Sequence, residues 1–92
     1  MSMLTKTQRE DLRFALLAEI VNARSVAFPA DVFLRRVNRR AVIDFEVTVA
    51  EAEDAIAALH AAGLVQMVPN RLSESPHYQA TPAGVRVAEG RA

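Results

Sequence analysis

Four arginines fall within six residues, at Arg35, Arg36, Arg39 and Arg40. A guanidinium is a permanent cation whose planar fork of N–H groups matches the oxygens of a phosphate. On a helix this spacing places all four on one side. They would there neutralise two or three backbone phosphates and release the counterions held by them. The same face can equally be solvated, or paired with Asp31, Asp44 and Glu46. His60, Asn70 and Arg71 are the other candidate donors toward nucleic acid, with Ser73 and Ser75 beside the last two. Bases and phosphates present acceptors that such side chains reach. A third group has the opposite character: Glu53 and Asp54, with Glu51 before them, border a run of small residues at Ala50, Ala57 and Ala61. That strip suits the close approach of another protein, although exposed alanines also serve helix propensity alone.

Enzymatic chemistry finds no support. His60 and His77 are far apart, no nucleophile stands in a recognisable constellation, and no glycine-rich phosphate loop is present. Glu51, Glu53 and Asp54 cannot converge from one helix, and there is no cysteine, so no metal, cofactor or catalytic residue is expected.

The elements that must position these residues are legible from caps and periodicity. Thr7 and Glu10 have capping-box spacing and open a first helix to about Arg24. It carries one stripe of Leu12, Leu16, Ile20 and Ala23 and another of Phe14, Leu17 and Val21. Two stripes exceed what one core contact needs. Either this helix lies at the centre, touched by the others, or its outer side makes a homodimer. Ser25–Phe28 has the length of a short first strand. Pro29 opens a second helix to Ala41, with Ala30, Phe33, Leu34, Val37 and Ala41 facing away from the arginines. In Val42–Val47, Ile43, Phe45 and Val47 alternate with Asp44 and Glu46, as in a strand or an extended buried linker.

Thr48 and Glu51 form another capping box and start a third helix, about Val49 to Ala62, with Ala52, Ala55, Ile56, Leu59 and Ala62 inward. Val47 is placed to staple its entry against Ala52. Gly63 is spaced to end that helix in a left-handed turn, with Leu64 packing back on Leu59. Leu64–Val68 and His77–Ala80 then read as a hairpin around a tip containing Pro69, Asn70 and Pro76, with Met67 and Tyr78 inward. Thr81 and Pro82 cap and begin a last helix to about Glu89, carrying Val85 and Ala88.

With 92 residues, 51% of them apolar and 24% charged, the chain has the composition of one folded domain over residues 1–92. No apolar run reaches membrane-span length and no leader pattern opens the chain, so a cytoplasmic protein is expected. The formal net charge is zero, which argues against a strongly basic nucleic-acid binder but leaves a local patch free to act. Lys6 is the sole lysine among eleven basic residues, a bias that a GC-rich genome accounts for without selection for arginine.

The string Ala58-Leu59-His60-Ala61-Ala62-Gly63-Leu64-Val65, followed after the hairpin by Tyr78-Gln79-Ala80-Thr81-Pro82-Ala83-Gly84, resembles bacterial and phage winged helix-turn-helix proteins. The ending Gly84-Val85-Arg86-Val87-Ala88-Glu89-Gly90 is similar to that of small winged-helix proteins of Mu-like prophages. The resemblance implies an α+β fold: a three-helix core, a C-terminal β-hairpin wing and a short terminal helix. It also implies a transcriptional regulator of phage or mobile-element type that contacts double-stranded DNA. Specific binding would call for a homodimer, through helix 1 or the C-terminal helix, because a single module contacts few bases.

On the residues themselves, Arg35, Arg36, Arg39, Arg40, His60, Asn70 and Arg71 are the DNA candidates. The helix that should enter the major groove is acidic at its start and alanine-smoothed outside, which opposes phosphates. The alternative is therefore a winged-helix interaction module whose Ala50, Glu53, Asp54, Ala57 and Ala61 face binds a protein partner and no DNA.

Overall fold

Helix starts and stops dictate the chain path, and a computed structural model describes it for residues 3–24, 26–69, 72 and 74–90. Helix α1 spans Lys6–Asn22, α2 Ala30–Arg40, α3 Val49–Ala61 and α4 Pro82–Gly90; strands β1, Val65–Val68, and β2, His77–Ala80, lie between α3 and α4.

The first helix starts two residues earlier than its Thr7 and Glu10 spacing predicts. Its capping box is Thr5 with Gln8: the Gln8 amide donates to Thr5 Oγ1 at 3.1 Å, and the Thr5 amide donates to Gln8 Oε1 at 3.0 Å. Both boxes satisfy the local rule, and tertiary packing decides between them. A cap at Thr5 leaves Leu4 just outside the helix, where it is buried in the core. The helix ends at Asn22, short of Arg24, which adopts a left-handed φ of 58°.

Helix α1 is the central element, packing against α2, α3, α4 and β2, so both of its stripes have an intramolecular use. Leu12, Leu16, Leu17 and Ile20 are almost fully buried, together with Phe33 and Val37 of α2 and Ile56 of α3. Alanines 41 and 62 do not join the inward faces. They are the exposed C-caps of α2 and α3, Ala41 turning left-handed at φ 54° to release the chain into the linker. The linker 42–47 is extended without pairing as a strand. Ile43, Phe45 and Val47 pack on the core, and Asp44 and Glu46 stay exposed.

The α3-to-wing junction follows the expected pattern. Thr48 and Glu51 complete a capping box at 2.9 and 3.1 Å. At the other end the Gly63 amide donates to the His60 carbonyl and the Leu64 amide to the Leu59 carbonyl, both at 3.0 Å, with Gly63 at φ 78°. That pair of bonds is a Schellman stop. Strands β1 and β2 pair antiparallel with Val65 opposite Ala80 and Met67 opposite Tyr78. Met67 is not inward: it is 52% exposed, because Val65 reaches the core and the same strand face has passed its edge two residues later. Tyr78 is half-buried. Of the expected first strand, Ser25 lies outside the described residues, and among 26–28 a single bridge forms, in which the Tyr78 amide donates to the Phe28 carbonyl at 2.9 Å.

Thr81 closes the domain. Its hydroxyl donates to the Gly63 carbonyl at 2.7 Å and accepts the Gly84 amide at 3.1 Å. One side chain thereby ties the stop of α3 to the start of α4. Among the described residues no helix is long and apolar enough to cross a membrane.

Candidate nucleic-acid interface

The arginine face of α2 exists because Ala30, Phe33, Leu34 and Val37 must be buried, which turns positions 35, 36, 39 and 40 outward or to the flanks. Arginine in the last turn also complements the negative end of the helix dipole. The four side chains do not share one environment.

Arg35 pairs within its own helix, Nη2 lying 3.3 Å from Asp31 Oδ2, with both side chains at least half exposed. Such a pair contributes little and is readily exchanged for another partner. Arg36 lies over the Phe28 ring, its guanidinium carbon 4.5 Å from the centroid, and Phe28 meets Phe33 edge-to-face at 5.8 Å. A cation over a ring face is attracted to it, and the contact positions the guanidinium without using up its N–H donors. Arg40 reaches across to α1, where its Nε donates to Glu19 Oε2 at 2.7 Å. The Glu19 side chain is only 4% exposed, so it requires that cation. Arg39 forms no ion pair among the described residues.

Arg36, Arg39 and Arg40 line one surface concavity of about 300 Å³ with Glu19. Three guanidinium groups surround a single carboxylate that one of them already neutralises. The concavity is therefore a local positive site on a chain of zero net charge. Arg35 lies outside it, and His60 stands exposed on α3, a different element. Asn70, Arg71 and Ser73 lie outside the described residues. Ala50, Glu53, Asp54, Ala57 and Ala61 are all exposed on α3. Glu53 is close enough to Tyr78 to act on it: burial first, and then the Glu53 charge, raise the phenol above its ordinary value.

Sequence reasoning missed Glu19 and Phe28. Glu19 carried a signal, since a carboxylate inside the Leu12, Leu16 and Ile20 stripe must find a cation if it is buried. Phe28 carried none, because its place beneath Arg36 depends on how the loop before α2 meets the wing.

No family model and no curated protein matches the sequence. The fold does match solved structures. A transcriptional regulator from Clostridium thermocellum, Cth-833, superposes with a TM-score of 0.75 over 98% of this chain and 84% of that one, at 11% identity. The crystal structure of SSV1 F-93 gives a TM-score of 0.65 over 86% and 79% of the two chains, at 18% identity. At such identities the likeness is one of fold. The fold is α+β, a winged helix-turn-helix with a three-helix core, a two-stranded wing and a short terminal helix.

Proposed function

We propose that this chain is a winged-helix DNA-binding protein, a transcriptional regulator of phage or mobile-element type, that grips duplex DNA by its backbone. The observation that carries the reading is the concavity of Arg36, Arg39 and Arg40, with Arg36 positioned over the Phe28 ring and Arg39 outside the ion pairs of the described residues. A guanidinium already positioned over a ring, beside one outside the ion pairs of the described residues, loses little on meeting a phosphate. The Clostridium thermocellum neighbour is a transcriptional regulator, and its likeness in fold supports the same reading. The ending from Gly84 to Gly90 supports the phage affiliation through its resemblance to Mu-like prophage proteins. His60, Asn70 and Arg71 are proposed as lesser contacts from α3 and the wing.

The test is fluorescence anisotropy with random-sequence duplex DNA at increasing salt. Affinity should fall steeply, with a log–log slope of roughly −2 to −3 for two or three phosphates. Replacing Arg35, Arg36 and Arg39 together with Ala should abolish binding at low salt. Arg40 is left in place because Glu19 needs it. No binding by the unaltered chain at low salt overturns the reading.

A second reading is favoured by the α3 surface: Ala50, Ala57 and Ala61 form an exposed smooth strip with Glu53 and Asp54 at its edges. It is a protein-interaction module that uses this face without DNA. It predicts no salt-dependent anisotropy, and loss of the protein partner in Asp54→Arg with Ala57→Glu.

A further inference from the structure

Charge is divided along the chain far more sharply than its zero total suggests. Helix α2 holds four arginines against Asp31. From 41 to 70 there is no Lys or Arg at all, while Asp44, Glu46, Glu51, Glu53 and Asp54 supply five acids. Three of these acids, Glu46, Glu51 and Asp54, border an open groove of about 680 Å³ whose apolar lining includes Leu4, Phe45 and Val47. The groove lies where the linker passes the start of α3, and Asn38 of α2 forms part of its wall. Arg35 stands one helical turn before Asn38, and Arg39 directly follows it, both exposed. A basic patch and an acid-rimmed apolar groove therefore share a border at Asn38.

Two complementary patches side by side on one surface are self-complementary about a two-fold axis placed between them. Rotation brings each patch onto the other's counterpart, and the contact closes on itself without open-ended growth. We propose that two copies of this chain form such a dimer, Arg35 and Arg39 of each seating against the Glu46 and Asp54 rim of the other, with Asn38 beside the axis. The apolar lining supplies what rim charges alone do not. Exposed ion pairs give steering and register, and covering the partly exposed Phe45 and Val47 with the exposed Met3 adds burial. A standard interface covers about 800 Å² per partner, roughly an eighth of this chain's 6082 Å² surface.

The inference does not rest on DNA binding, and its test contains no DNA. Sedimentation velocity at about 100 μM protein detects a dimer of micromolar Kd. The unaltered chain should sediment as a dimer at low salt and as a monomer near about 0.5 M, where screening acts over a few ångströms. Arg35→Glu with Arg39→Glu, and separately Glu46→Arg with Asp54→Arg, should each weaken association at least tenfold. An equimolar mixture of the two variants should recover the dimer, because every reversed contact is then opposite in sign again. Glu51 is left unaltered since it caps α3.

A second readout uses the absence of cysteine. Asn38→Cys should form an intermolecular disulfide on mild oxidation at low salt, and Arg86→Cys on α4 should not. A chain that remains monomeric at low salt overturns the proposal. So does a dimer that survives both charge reversals, or one that the mixture fails to restore.

Discussion

Arg40 Nε and Glu19 Oε2 lie 2.7 Å apart, joining the end of α2 to a nearly buried position of α1. One member of the arginine cluster is thus structural, although nothing in its spacing distinguishes it from its neighbours. Arg40→Ala should destabilise the fold by about 1–3 kcal/mol, the range for a hydrogen bond to a charged group whose partner is then left buried, reduced here by the exposure of Arg40 itself. Arg39→Ala should stay within about 0.5 kcal/mol, as for a surface change that breaks no packing. Urea denaturation of both variants checks the contrast, and equal losses would contradict this division of roles.

The two glycines near the wing should respond differently to alanine. A Cβ on Gly84 would collide with the Leu64 carbonyl oxygen and come within 3.4 Å of Leu17 Cδ1. That oxygen also accepts the Thr81 amide at 3.1 Å, so it has little room to move. Gly84→Ala should cost about 1–3 kcal/mol or more through overpacking. Gly63→Ala meets no atom within 4 Å and pays only for its left-handed φ of 78°, about 1–2 kcal/mol. Thermal melts rank the pair, and Gly63→Ala proving the more harmful would contradict the packing at Gly84.

Local chemistry made much of this fold legible. Thr48 with Glu51, Gly63, and Thr81 as the cap of α4 each act within a few residues, so their spacing in the sequence carries that role, whereas the bond from Thr81 to Gly63 spans 18 residues and spacing does not show it. The misreadings share one cause, which is competition between local options that only packing resolves. Thr5 and Thr7 both offer a box, and burial of Leu4 selects the first. Met67 has the strand parity of Val65, but the core ends between them. The candidate site was less legible still. That α2 carries an arginine face follows from periodicity. Which arginine is held by Glu19 and which by Phe28 follows from the crossing of α1, α2 and the wing, to which spacing along one helix is blind.

Tyr78 is the chain's one tyrosine, so absorbance near 295 nm reports its ionisation alone. Burial, and secondarily the Glu53 carboxylate, raise its phenol above 10.0 in the fold. Below that value both folded and unfolded chains keep the proton, and the fold loses nothing. As pH rises past about 10 the unfolded chain ionises first, so it binds fewer protons and stability falls until the folded phenol titrates as well. The alkaline loss should shrink in Tyr78→Phe. Glu53→Gln should move the 295 nm midpoint downward, and an unmoved midpoint would remove Glu53 as a cause.

Arg35 and Arg39 serve both the proposed backbone grip and the proposed dimer, so the two states draw on the same cations. Linkage then requires that each weaken the other by the same factor. Adding duplex DNA at low salt should convert the sedimenting dimer into DNA-bound monomer. Glu46→Ala with Asp54→Ala should bind DNA more tightly than the unaltered chain, for two reasons that salt separates. Removing two acids near the start of α3 reduces repulsion of phosphates, an effect that fades with screening and is independent of protein concentration. Removing the rival dimer raises affinity only at protein concentrations where the dimer would otherwise form. Anisotropy titrations of the two proteins across a range of concentrations therefore distinguish the terms. An advantage for the variant that does not grow with protein concentration would show that DNA and the dimer use different residues.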